Sequence, residues 1–230
     1  MARVEQGRRA VGSRPRGRRS ARGKRPELVA APAQDPDQPV IGIIFGPPGS
    51  GKGTQAARIE DAFRLKHLST GDILRAEVAR GTPVGKEVGR IMAAGDLVPD
   101  ELIVDIVRGR LPEAEAGEGV LLDGFPRTVG QAQALDNMLS DEGHKVDFVV
   151  ALDVPEAELV DRLLHRAEVE GREDDTRQAI EERMHEYHKL TEAVLDHYRR
   201  KGVPVQLVSG VGSPDQVFGR IRRAVGISSA

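Results

Sequence analysis

Residues 40–54 read VIGIIFGPPGSGKGT, an apolar run followed by a glycine-rich loop and a lysine. The apolar run at its start predicts a buried parallel strand. The glycines that follow allow successive backbone N–H groups to point at one anion, and the N-terminus of a helix beginning near Lys52 adds its dipole. A strand, a glycine loop and a helix in this order predict a phosphate-binding loop, in which Lys52 supplies the charge for the distal phosphates.

One position of the loop departs from the usual pattern. A Ser or Thr normally follows the lysine and binds Mg²⁺ through its hydroxyl, whereas here Gly53 follows Lys52 and the hydroxyl of Thr54 comes one residue later. The nucleotide oxygens, water and an acidic residue on a neighbouring strand can hold the metal instead. We therefore interpret the loop as intact, with Gly53 allowing the backbone to pass close to phosphate.

The rest of the chain alternates strands with helices. Apolar runs predict further strands at 119–123, 147–152 and 203–208, and helical patterns lie between them. This alternation predicts an α/β fold of the P-loop NTPase type, a parallel sheet with helices on both faces. Ligands of such sheets bind at the carboxyl ends of the strands, where the glycine loop also lies.

Two aspartates that follow apolar runs compete for the role of metal-positioning acid. Asp123 is followed by the turn GFPR, which presents Arg127, whereas Asp153 is followed by VPE, which is typical of a helix start. P-loop enzymes hold their magnesium with an acidic residue of this kind. We favour Asp123 for that role and interpret Asp153 as a structural cap.

Composition excludes several classes of protein. The chain has 230 residues, 39% of them apolar, which suits one domain of good size. It contains no apolar run long enough to span a membrane, and no cysteine, so that disulfides and Cys-type zinc sites are excluded. Aromatic residues make up 3% and Trp is absent, so a stacking surface for single-stranded nucleic acid is not expected. We expect no membrane or nucleic-acid partner and no zinc.

The net charge of −2 conceals an Arg-rich N-terminal arm. Residues 1–25 hold ten Lys or Arg and one acid, which leaves 24 basic and 35 acidic residues in the rest. Residues 1–38 have no apolar periodicity, so we expect a disordered extension before a domain at 39–230. A dispensable tail, an organelle transit peptide and an arm for an acidic surface or nucleic acid are the alternatives for it. We expect a cytoplasmic protein, with organelle import as the alternative.

Taken together, the motifs resemble those of the adenylate kinase family, nucleoside monophosphate (NMP) kinases that interconvert ATP and AMP with two ADP. The matching stretches run in family order from about Ile41 to the end of the chain: GPPGSGKGTQ at 46–55, HLSTGDILR at 67–75, AAGDLVPDEL at 93–102, LLDGFPRT at 121–128 with Gln131, ALDVP to DRLLHR at 151–166, and GREDD at 171–175 with Arg183. The resemblance implies a helical NMP-binding insertion at about 69–98 and a short lid loop at about 167–174.

The resemblance also implies roles for individual residues. The set implied for ATP is Gly49, Ser50, Gly51, Lys52, Gly53, Thr54 and Arg162, with Arg162 over the adenine. The set implied for AMP is Thr70, Arg75, Val98, Gly124, Arg127, Gln131, Arg172 and Arg183, with Arg75 and Arg127 on the phosphate and Gln131 reading adenine. The implied catalytic set is Lys52, Arg127, Arg166, Arg172 and Arg183, with Asp174 and Asp175 orienting arginines. Asp123 would position the water shell of Mg²⁺.

Two features depart from many family members. Only five residues separate Arg166 from Arg172, which indicates a short-lid form rather than the longer lid that sometimes carries a Cys-rich zinc site. Asp96 stands where many members carry Lys, and no role is assigned to it.

The acceptor follows from the same resemblance. UMP/CMP kinases share the loop, the arginines and the short lid, but typically carry Ala at the position of Thr70 and Asn at that of Thr128. The two threonines favour AMP, and a UMP/CMP kinase is the alternative. A nucleotide-switched binding protein that works through the basic arm is the rival from another class. The expected function is Mg²⁺-dependent, reversible, in-line transfer of the γ-phosphoryl group of ATP to AMP by a monomer, contributing to adenine nucleotide homeostasis.

Overall fold

A computed structural model describes residues 38–115, 119–170 and 176–226. Nearly all of the expected N-terminal extension therefore lies outside the described residues, as does the GREDD motif at 171–175 with the end of the expected lid.

The described part contains five strands and eight helices in α/β order. The strands are β1 (Val40–Phe45), β2 (Lys66–Ser69), β3 (Gly119–Asp123), β4 (Phe148–Asp153) and β5 (Val205–Ser209). The helices are α1 (Lys52–Phe63), α2 (Thr70–Ala79), α3 (Pro83–Ala94), α4 (Asp100–Glu115), α5 (Val129–Asp141), α6 (Glu156–Glu170), α7 (Arg177–Arg200) and α8 (Pro214–Val225). The strands form one sheet in the order β2-β3-β1-β4-β5, and every pair is parallel.

Side chains of β1 alternate between two hydrophobic cores. Ile41 and Ile43 belong to a core that includes buried residues of α4, α5 and α7, whereas Ile44 belongs to a core with residues of α1 and α8. Because successive strand residues point to opposite faces, helices cover both faces of the sheet. The predicted fold class is confirmed, and burial on both faces explains why the central strands are continuous apolar runs.

The carboxyl end of β1 is the point where the sheet can bind a ligand. The chain forms β2 and β3 on one side of β1, then β4 and β5 on the other, and such a switch point opens a crevice between neighbouring strand ends. Ile44 is in register with Asp123, and Ser69 at the end of β2 is in register with the same residue. Asp123 is therefore held between the glycine loop and the start of α2.

Two local predictions were wrong. Strand β2 was not predicted, because the edge segment KHLS is short and only Leu68 in it is buried. Helix α6 extends to Glu170, so residues 167–170, which were assigned to the lid loop, are helical. The sequence AEVE contains no helix breaker before Gly171, and its Ala and Glu residues favour helix.

None of the helices in the described ranges is long and apolar enough to cross a bilayer.

Candidate active site

A cleft of about 850 Å³ opens at the carboxyl ends of β1 and β3. This volume lies towards the upper end of the range for small-molecule sites. The predicted site residues in the described part of the chain all line it: Gly49, Ser50, Gly51, Lys52, Gly53, Thr54, Thr70, Arg75, Val98, Asp123, Gly124, Arg127, Gln131, Arg162, Arg166 and Arg183. The remaining predicted residues, Arg172, Asp174 and Asp175, lie outside the described residues. Residues far apart in sequence are thus brought to one cleft.

The glycine loop wraps tightly around the start of α1. Gly49 has φ +79°, and a Cβ there would lie 2.9 Å from the side chain of Leu163 and 3.0 Å from the carbonyl oxygen of Leu159, so only glycine fits. The N-cap of α1 is Gly51, which has no side chain to accept from the first-turn N–H groups. Those donors and the helix dipole are therefore directed at the cleft, the arrangement that binds phosphate.

Lys52 lies inside the loop at the first position of α1. Its Nζ donates hydrogen bonds to the carbonyl oxygens of Gly46 at 2.7 Å and Pro47 at 3.0 Å. These bonds fix the ammonium beside the N–H groups of the loop. A phosphate held by the loop would therefore meet a positioned positive charge.

The surroundings of Lys52 are strongly cationic. Its pKa is lowered to about 8, first by burial and then by the like charges of three arginines, against the opposing charge of Asp123. The arginines are Arg127, Arg166 and Arg183. The repulsion between these positive charges destabilises the empty cleft. An anion that enters it relieves this repulsion and is therefore bound more strongly.

Arg127 and Arg75 belong to the side of the cleft formed by α2 and the turn after β3. The Nε of Arg127 donates to the carbonyl oxygen of Gly124 at 2.9 Å, which directs its guanidinium along the turn. The pKa of Arg127 is lowered by the low-dielectric walls of the cleft and by the charges of Arg183 and Arg75. Arg75 forms an ion pair with Asp72 one turn earlier on α2. Two arginines on one side suit a second phosphate group, separate from the loop.

The close approach of the β3 turn to α2 requires glycine at position 124. Gly124 has φ +79°, and a Cβ there would lie 2.8 Å from Thr70 Oγ1 and 3.2 Å from Arg127 Nη2. Thr70 Oγ1 itself donates to the carbonyl oxygen of Asp123 at 3.3 Å. The turn and the N-terminus of α2 are thus packed directly together beneath the cleft.

Asp123 presents a buried carboxylate to the cleft. It is 8% exposed, whereas Asp153 at the end of β4 is exposed. His67 Nε2 lies 3.3 Å from Asp123 Oδ2. Burial alone would lower the pKa of His67, but the hydrogen bond and charge of Asp123, with Glu60 and Asp72 nearby, raise it above its ordinary value. A protonated His67 therefore forms an ion pair with Asp123 at the edge of the cleft.

Arg162 belongs to the opposite end of the cleft, on α6. Its Nη2 donates to Glu158 Oε1 and to the carbonyl oxygen of Gly210, at 3.3 Å for the latter. These contacts hold the guanidinium plane between α6 and the loop after β5. A flat cation fixed in this way offers a surface on which an aromatic base can stack.

The sequence did not single out several residues that line the cleft. They include Tyr187, Gly210, Gly212 and Pro214. The loop GVGS at 210–213 follows the carboxyl end of β5, and its two glycines at a strand end were a signal that could have been used. The proximity of Tyr187 to the cleft depends on how α7 crosses α6, which no local pattern specifies.

Known proteins are similar to this chain in sequence. A family model for adenylate kinase matches residues 44–203. The adenylate kinase of Thermus thermophilus is 51% identical over 185 residues, which are 80% of this chain and 96% of that protein. The adenylate kinases of Xanthomonas campestris and Xanthomonas oryzae are 48% and 47% identical over 184 residues, 80% of this chain and 98% of each protein. A chain with this cleft and these relatives belongs to the adenylate kinase family of nucleotide phosphotransferases.

Proposed function

We propose that the chain transfers the γ-phosphoryl group of ATP to AMP, reversibly, to give two ADP. The observation that carries the proposal is the presence of two separate groups of positive charge in one cleft, each suited to a phosphate. The loop with Lys52 forms one of them, and Arg75 with Arg127 forms the other, beside Gln131. A nucleotide hydrolase or switch needs only the first site.

The chemistry needs positioning and positive charge rather than a general base. An oxygen of the AMP phosphate attacks the γ-phosphorus, and the bond from that phosphorus to the β,γ-bridging oxygen breaks, so that the electron pair leaves with ADP. The attacking oxygen is already anionic and has no proton to lose. Lys52, Arg127, Arg166 and Arg183 would stabilise the charge on the transferred group. Their closeness is seen in the pKa of Lys52, which the charges of the three arginines help to lower.

Magnesium fits this site as part of the nucleotide complex. The described residues contain no group of three or more His, Cys, Asp or Glu side chains placed to hold a metal, and Mg²⁺ commonly binds through one carboxylate, water and phosphate oxygens. Asp123, buried at the end of β3, is the carboxylate that would hold its water shell. When bound with ATP, the ion would neutralise charge on the β- and γ-phosphates.

Exclusion of water would separate the transferase from a hydrolase. Helices α2 and α3 and the C-terminal part of α6 flank the cleft, and their closure over both nucleotides would remove water from the γ-phosphate. We further propose that the enzyme acts as a cytoplasmic monomer in adenine nucleotide homeostasis. Size-exclusion chromatography with light scattering tests the oligomeric state.

An assay of phosphoryl transfer tests the proposal and its alternative. Purified protein is mixed with MgATP and one of AMP, UMP, CMP or GMP, and the diphosphates formed are measured by chromatography. We expect two ADP per AMP consumed, little product without Mg²⁺ and a clear preference for AMP. A preference for UMP or CMP would favour the pyrimidine kinase, and ATP consumption without any acceptor phosphorylation would contradict phosphotransfer.

A further inference from the structure

The side chain of Gln131 is hydrogen-bonded to Asp100, the first residue of α4. Gln131 is 2% exposed and lines the cleft. Its Nε2 donates to Asp100 Oδ1 at 2.7 Å, and its Oε1 accepts from the backbone N–H of Arg127 at 2.7 Å. The other carboxylate oxygen, Asp100 Oδ2, accepts from Thr128 Oγ1 at 2.6 Å. Both ends of the Gln131 amide therefore have a fixed partner.

The signs of these partners permit one orientation of the amide. A backbone N–H can only donate, and an ionised carboxylate can only accept. Turning the Gln131 amide by half a turn would set its NH₂ group against the N–H of Arg127 and its oxygen against Asp100. Two partly buried hydrogen bonds would then be replaced by a donor–donor contact and an acceptor–acceptor contact, which costs more the less water reaches these atoms.

We propose that Asp100 is a positioning residue that fixes the Gln131 amide and thereby makes the acceptor site select an amino base over a keto base. This inference rests on the proposed function, in which Gln131 faces the base of the acceptor nucleotide. The fixed amide offers the base a donor at its nitrogen end and an acceptor at its oxygen end. Adenine matches with N1, which accepts, and its 6-amino group, which donates. Hypoxanthine presents N1–H and a 6-keto oxygen, so a donor would face the NH₂ group of Gln131 and an acceptor would face its oxygen.

Thr128 contributes to the same arrangement from a different direction. Its hydroxyl donates to Asp100 Oδ2 and accepts from the backbone N–H of Gln131 at 3.1 Å, where it also caps the N-terminus of α5. The threonine that the sequence associated with AMP therefore acts on the base through Asp100. Among the described residues, neither Thr128 nor Asp100 lines the cleft, so their influence on the base passes through Gln131.

The test compares AMP with IMP, two purine nucleotides that differ in this edge of the base. We expect Asp100→Asn to lower the ratio of kcat/KM for AMP to that for IMP, with MgATP as donor, about tenfold or more, which is about 1.4 kcal/mol. The Asn side chain can either accept or donate, so it no longer opposes the turned amide, and only the backbone N–H of Arg127 still favours the original orientation. The matched control is Asp105→Asn, since Asp105 is exposed on the same helix and paired with Arg108 at 2.7 Å. Its ratio should equal that of the wild type.

A second comparison separates positioning from a general loss of structure. Gln131→Ala should lower the same ratio, and adding Asp100→Asn to it should lower the ratio no further, because Asp100 acts through Gln131. Melting temperatures of all variants are measured alongside, and Asp100→Ser replaces Asp100→Asn if the latter does not fold. A merely structural role would reduce turnover of AMP and IMP in proportion and leave the ratio unchanged.

The outcomes distinguish a failure of the proposed function from a failure of the role assigned to Asp100. A wild-type protein that forms no ADP from MgATP and AMP refutes the proposed function and, with it, this inference. A wild-type protein that phosphorylates AMP, with an AMP-to-IMP ratio unchanged in the Asp100 variants or in Gln131→Ala, refutes the inference alone. An equal fall in Asp105→Asn also overturns it.

Discussion

Replacing Lys52 by Met separates the catalytic role of the ammonium from its effect on stability. The pKa of Lys52 is about 8 instead of 10.5, so its charged form is disfavoured in the fold. At about 1.4 kcal/mol per pKa unit the penalty is at most about 3.5 kcal/mol, and less where water reaches the cleft. Met removes this penalty together with the hydrogen bonds to Gly46 and Pro47, each worth about 1.5 kcal/mol. Because the two effects nearly cancel, we expect the free energy of unfolding at pH 7 to change by less than about 2 kcal/mol.

The pH dependence of stability gives an independent check on the same lysine. The penalty is complete below pH 8, where Lys52 is charged in both the folded and the unfolded chain. It disappears as the pH rises from about 8 to 10.5, because the folded chain loses its proton first. The wild type should therefore gain stability relative to Lys52→Met over this range, which urea titrations at pH 7.5 and at higher pH would detect on the order of 1 kcal/mol or more.

Turnover should respond quite differently from stability. Loss of one preorganised charge at the transferred phosphoryl group typically costs about 10²- to 10³-fold, or about 3–4 kcal/mol, so kcat of Lys52→Met in the ADP-forming assay should fall by at least about 10². The control is Lys66→Met, since Lys66 is exposed at the start of β2, away from the strand ends that form the cleft. A kcat within tenfold of wild type would contradict the role of Lys52 at the transferred phosphoryl group, and an unfolded variant would contradict the expected small change in stability.

Four further changes test other parts of the site. Arg127→Ala should lower kcat/KM for AMP by about 10² or more, whereas Arg108→Ala, exposed on α4, should not. Gly124→Ala should lower the free energy of unfolding by about 1–2 kcal/mol and raise KM for AMP, because the added Cβ would lie 2.8 Å from Thr70 Oγ1. An unchanged melting temperature would contradict that close approach. The raised pKa of His67 means that its protonation stabilises the fold below about pH 6.5, and that this contribution is lost as the pH rises through the folded pKa. In urea titrations between pH 6 and 8.5, the wild type should therefore lose stability relative to His67→Gln. A constant difference in the free energy of unfolding would count against the contact with Asp123. Removal of residues 1–36 should leave turnover and melting temperature nearly unchanged, because that Arg-rich segment lacks the apolar residues of a core; a large loss of either would show that the arm supports the enzyme.

Much of the fold could be predicted because its signals are local. The continuous apolar runs of β1, β3 and β4 depend only on neighbours in sequence, and these strands lie close to where they were predicted. Strand β2 could not be predicted, since its place is defined by pairing with β3 rather than by its own residues. The extension of α6 to Glu170 was also missed, although its residues favour helix, because the resemblance suggested a loop there.

The phosphate-binding loop, the parallel α/β architecture and the choice of Asp123 over Asp153 could be inferred from residue type and spacing along the chain, whereas the arginines were chosen from the family resemblance. Only the tertiary structure decided which of these groups share one cleft and how strongly they act on one another. The lowered pKa of Lys52, the His67–Asp123 contact and the Asp100–Gln131–Arg127 arrangement all join residues from different elements. Their strength depends on distances across the fold and on exclusion of water, and both of these arise only when the helices pack against the sheet.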